Sequence, residues 1–136
     1  MPELKLKQLK FESETCKRLL DFMMDENIQL KNRLSEVLKD QFDKNLLDDV
    51  ERFQSRFIKE DQLIGLMRND IAELDALLIE NLLDDEMSLQ NVDLKLKRLR
   101  NNIKNAEMQF SNLKLDFYNY LSENLKYGQN LDLNLG

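Results

Sequence analysis

Proton-transfer chemistry at neutral pH leans on histidine, and this 136-residue chain contains none. That excludes histidine acid–base catalysis, histidine phosphotransfer and the Glu-x-x-His pairs of a ferritin-like di-iron site. There is no glycine-rich phosphate loop and no Cys-x-x-Cys pair. Carboxylate pairs such as Glu60/Asp61 and Asp84/Asp85 occur, but helix surfaces abound in such neighbours. The single cysteine, Cys16, cannot form an internal disulfide. It falls in an apolar row, where a thiol serves as a small hydrophobe rather than a nucleophile. The sequence predicts no catalytic, cofactor or metal site, and a protein that is not an enzyme.

The most specific polar constellation is Asn27 with Glu60. Both interrupt rows that are otherwise largely apolar. Helix register, as read from spacing, sets them opposite each other beside the small Ala106. The expected role of this Asn27/Glu60/Ala106 layer is to fix register, because a polar layer penalises shifted alignments. The sharper alternative is a small internal pocket with Glu60 as acceptor. A buried Glu60 needs a donor, and Asn27 can supply one.

The elements that position these residues are three apolar rows with alternating steps of three and four. They run from Leu9 to Val37, from Leu46 to Leu78 and from Leu89 to Tyr120. A mean step of about 3.5 keeps one seam of each helix against a partner, as in coiled coils. The predicted fold is all-α: an up-down-up antiparallel three-helix coiled-coil bundle with long helices. One domain covers 1–136, with helices at about 8–40, 45–80 and 86–126, each roughly 50 Å long or more. The tails, 1–7 and 128–136, are expected to be flexible or strand-like. Leu4 and Leu6 alternate with polar residues, as do Leu131, Leu133 and Leu135.

Antiparallel neighbours should pair residues whose numbers have a constant sum. For the first and second helices Cys16/Ile71, Asn27/Glu60 and Leu34/Phe53 all sum to 87. For the second and third, Leu78/Leu89, Phe57/Phe110 and Glu60/Ala106 sum to 166 or 167. These sums place the reversals near 43 and 83. The alternative is a single rod from 45 to 126, since Leu78, Leu82, Asp85 and Leu89 would continue the heptad. The three-helix layout is similar in architecture to spectrin-type repeats, without the tryptophan expected of those repeats. Architecture of this kind does not imply function.

Two surfaces depart from an ordinary solvated helix face. The back of the second helix carries Ile58, Gln62, Gly65, Asn69, Ala72, Ala76, Ile79 and Leu83, with no charge among them. Small residues there permit close helix approach, and the stripe is expected to meet a partner, first of all a second copy. On the third helix, Lys95, Lys97, Arg98, Arg100 and Lys104 form an acid-free basic segment. It is the alternative binding surface, for an anionic lipid, RNA or an acidic partner. The later back of that helix, including Met108, Leu115 and Tyr118, is also low in charge.

The net charge of −6 argues against general nucleic-acid binding. No apolar run approaches the roughly 20 residues that span a bilayer. The sequence therefore predicts a cytoplasmic interaction or scaffold module that forms a homodimer, with room for a heterologous protein partner.

Overall fold

Three glycines and one proline leave long stretches without a helix breaker. In the computed structural model these stretches form α1 (Pro2–Asp40), α2 (Lys44–Ile79) and α3 (Glu86–Asn124). The structure describes residues 2–40, 44–79 and 86–124, all of them helical. Each helix packs against both others, giving a three-helix bundle. The expected reversal centres near 43 and 83 and the tail 128–136 lie outside the described residues.

The seam is the core. Every residue of the three predicted rows is buried except Leu46, which is half-buried against it. Leu121 is the one buried apolar residue off the seam among the described residues. The N-terminal expectation is corrected: residues 2–7 are helical, not strand-like or flexible. Leu6 stands three residues before Leu9, continues the seam and packs against the core. Leu4 points outward and is 67% exposed. Pro2 begins the helix, where its missing N–H costs no helical hydrogen bond.

Cross-helix pairs give the directions. Ser13 meets Asp75 and Asn27 meets Asp61, so α1 and α2 are antiparallel close to the predicted sum. Lys5–Asp93, Glu12–Arg100 and Glu26–Lys114 each join residues 88 apart, so α1 and α3 are parallel. A rod of α2 with α3 is excluded, because Phe53 and Tyr120 lie side by side with ring centroids 5.1 Å apart.

The α2/α3 register differs from the expectation by about one heptad. Phe57 packs on Phe117 at 5.2 Å, not on Phe110. Leu74 and Leu99 line one groove together, where spacing had suggested Leu74 with Val92. Seven residues correspond to a slide of about 10 Å along the helix. An apolar seam of period seven cannot sense this slide. Aromatic and charged neighbours can. The observed register gathers Phe53, Phe57, Phe117 and Tyr120 into one cluster. It also places Arg56 3.0 Å from Asp116, with the Arg56 guanidinium over the Phe53 ring.

Candidate functional site

The polar layer is present, with different partners from those expected. Asn27 and Glu60 are both buried. Asn27 Nδ2 donates to the Phe57 carbonyl at 3.0 Å and to Asp61 Oδ1 at 2.6 Å. Lys31 pairs with the other oxygen of Asp61. Asn27 therefore serves Asp61 rather than Glu60. Glu60 Oε1 and Asn27 Oδ1 are buried without a hydrogen-bond partner. Burial, reinforced by the Asp61 charge, pushes the Glu60 carboxyl above its ordinary range. Ala106 is buried too, but the one-heptad shift aligns it with Leu20 and Met67. Leu113 takes the level of Asn27 and Glu60, so the alternative of a small internal pocket beside Ala106 is not assembled there.

The Asn27 arrangement has a counterpart two heptads away. Ser13 Oγ donates to Asp75 Oδ1 at 2.7 Å, and Lys17 pairs with Asp75 Oδ2. Burial alone would raise the Asp75 carboxyl. Hydrogen bonds from Lys17 and Ser13, with the Lys17 charge, outweigh it and hold Asp75 below its ordinary range. Between the two clamps, Arg68 pairs with Asp21 at 3.3 Å and contacts the Met24 sulphur. A buried hydroxyl or amide plus a flanking lysine thus grips one carboxylate, twice. These polar contacts fix alignment, and at each clamp the carboxylate is held by a lysine as well as by the buried donor.

Cys16 is buried in the core, and burial pushes its thiol upward, with Arg100 partly opposing the shift. A thiol that is both inaccessible and protonated reacts slowly. An aromatic disulfide reagent should modify Cys16 in native protein only at the rate of opening, and fully in denaturant. Labelling within seconds in native buffer would contradict the burial. Among the described residues no group of three His, Cys, Asp or Glu side chains could hold a metal ion.

The back of α2 faces solvent. Gln62, Asn69, Ala72 and Ala76 are exposed, and Ile58 is 45% exposed. A Cβ added at Gly65 would meet nothing within 4 Å, so packing inside this bundle does not require glycine there. Asn69, Ala72 and Ala76 form one wall of an open α1/α2 groove whose other residues include Lys17, Asp21 and Arg68. Leu83 and the Ile79 side chain lie outside the described residues. Leu66 belongs to the same face and is 64% exposed. It was missed because it occupies the column beside the stripe rather than the stripe itself.

The basic segment does not form one patch. Lys97 pairs with Asp93 and Arg100 with Glu12, at 3.3 and 3.2 Å. Lys95 and Arg98 lie on the other flank, in the α2/α3 groove with Asp70 and Glu73. In the unshifted register this segment would lie beside residues 62–71, where Arg68 offsets Asp70. The observed register brings Asp70, Glu73 and Asp75 to this level instead.

Spacing also passed over two outer rows. Phe11 and Phe22 on α1 are exposed, as are Met87 and Leu94 on α3. The seven-residue recurrence Met87, Leu94, Met108, Leu115 is legible in the sequence, but the charges between Lys95 and Lys104 confine the low-charge surface to the later half of the helix. No described helix is long and apolar enough to cross a membrane. The chain matches no protein-family model, no curated protein and no solved structure.

Proposed function

We propose that this protein is a non-catalytic, cytoplasmic interaction or scaffold module that self-associates through the back of α2. The observation that carries the reading is the exposure of this face in the folded chain. Ile58, Leu66 and the bare backbone of Gly65 meet solvent beside Ala72 and Ala76. Apolar area left in water costs roughly 25 cal/mol per Å², and small side chains let a second helix come close. The absence of histidine and the buried, protonated Cys16 support a non-catalytic role. A reduced cysteine suits a cytoplasmic setting.

Light scattering beside circular dichroism tests this. The wild type should be a dimer at high micromolar concentration. Ala72→Arg should give a monomer with unchanged helix content, because position 72 is exposed within the bundle. A wild type that stays monomeric under those conditions rejects the dimer.

A further inference from the structure

The outer face of α3 has a composition that no other face of the bundle shares. Its outermost column reads Met87, Leu94, Asn101, Met108, Leu115 at intervals of seven. The four apolar members are 59–73% exposed. At 1.5 Å per residue the row is about 42 Å long. The two columns flanking it contain Lys97, Arg98 and Lys104 and no carboxylate. The α3 acids after its first residue, Asp93, Glu107, Asp116 and Glu123, stand instead in the columns beside the seam. The outer faces of α1 and α2, by contrast, carry acids such as Asp21, Asp25, Glu51 and Glu73. On a chain of net charge −6, α3 presents an apolar row whose middle is flanked by Lys97, Arg98 and Lys104, with the nearest carboxylates set back from it: Asp93, 3.3 Å from Lys97, beside the seam, and Asp70 and Glu73 across the groove from Arg98.

The geometry points to an acidic amphipathic helix of another protein as the occupant of this row. A period of seven matches the seam of a helix packed alongside. Met87 and Leu94 anchor one end, Met108 and Leu115 the other. Lys97, Arg98 and Lys104 surround Asn101 between them. The partner helix carries apolar residues at heptad spacing and glutamate or aspartate beside its central heptad. A second copy of α3 is disfavoured by charge. Antiparallel pairing of the row on itself centres on Asn101 and gathers six cations about the two-fold axis. A membrane surface is disfavoured by width. A helix lying in the interface buries a broad apolar face, whereas this row is one column wide, flanked by asparagines, serines, a glutamine and cations, with Tyr118 the one aromatic beside it. The site is separate from the α2 face, so one molecule can occupy both.

The full chain should be titrated into two labelled 28-residue amphipathic peptides, followed by fluorescence anisotropy. Both share a leucine seam. One has glutamate beside its central heptad, the other lysine. The acidic peptide should bind about tenfold or more tightly than the basic one, a margin of about 1.4 kcal/mol, and should weaken with salt. Leu94→Asp with Met108→Asp should cost at least about tenfold while helix content is unchanged. Charge reversal at Lys97, Arg98 and Lys104 should transfer the preference to the basic peptide. Ala72→Arg should leave peptide binding unaltered, so failure here and failure of the α2 dimer are distinguishable. Equal binding of the two peptides would overturn the proposal. So would acidic-peptide binding that survives the Leu94/Met108 pair, or capture by phosphatidylserine vesicles or an RNA oligomer when neither peptide binds.

Discussion

Phe57→Ala should lower the free energy of unfolding by about 3–5 kcal/mol. The side chain is fully buried, and its ring packs on Phe53 and, edge to face, on Phe117. Truncation removes the transfer energy of the ring and leaves a cavity that long helices cannot collapse into without bending. It also removes the Phe57 share of the aromatic cluster, in which each pair contributes about 0.5–1.5 kcal/mol beyond burial. Urea unfolding followed by circular dichroism measures the loss. Phe11→Ala is the matched control, because Phe11 is 70% exposed, and it should change stability by less than about 0.5 kcal/mol. Comparable losses for both variants would mean that Phe57 is not in the core.

The second large effect has the opposite sign. Glu60→Leu should raise stability at neutral pH by about 1–3 kcal/mol, the usual cost of an unsatisfied buried polar group. Burial, with the Asp61 charge, holds the Glu60 carboxyl above its ordinary value near 4.5. A carboxyl raised by folding supports the fold only while protonated. Its contribution is present below that ordinary value and is lost as pH rises through the elevated folded value. The advantage of Glu60→Leu should therefore be largest at neutral pH and shrink on acidification. Asp75 and Asp93 are shifted the other way, so their contributions are lost as pH falls. They cancel when variant and wild type are compared at each pH. Denaturant midpoints across that range decide the matter. A gap between the two proteins that does not vary with pH would reject a buried Glu60 carboxyl.

The seam was legible because burial follows the 3.5-residue period residue by residue, even at Ser13, Asn27 and Glu60. The α1/α2 register was legible too. The α2/α3 register was not, because apolar rows tolerate a seven-residue slide. The deciding information lay in the third interface. In the expected register Glu12 would face Asp93 and Glu26 would face Glu107. In the observed one they pair with Arg100 and Lys114 at 3.2 and 2.9 Å. Reading the α1/α3 flanks for charge would have found the shift. Individually such exposed pairs contribute little, but like-charge contacts at two levels are enough to choose between otherwise equal alignments. The candidate surfaces were legible in part. The charge-free back of α2 was read directly, whereas the α3 row was seen only over its later half. The Asn27 amide was assigned to Glu60, its counterpart on the seam, whereas it turns to Asp61 beside the seam; period gives the level of a side chain, not the neighbour it turns toward.

The paired clamps between α1 and α2 act as a parity check on alignment. Along the facing columns, α1 offers Lys17, Met24 and Lys31, and α2 offers Asp75, Arg68 and Asp61. Slide either helix by one heptad and a lysine lands on Arg68: Lys17 in one direction, Lys31 in the other. Both buried donors, Ser13 and Asn27, lose their carboxylates in the same step. One direction lets Lys10 take over at Asp75, but that substitute brings no buried donor with it. A slide of two heptads restores one clamp, with Ser13 and Lys17 at Asp61 in one direction and Asn27 and Lys31 at Asp75 in the other. The nearest wrong alignments are thus the ones most strongly rejected. The misaligned states that keep a polar grip are displaced by about 21 Å and leave much of both helices unpaired.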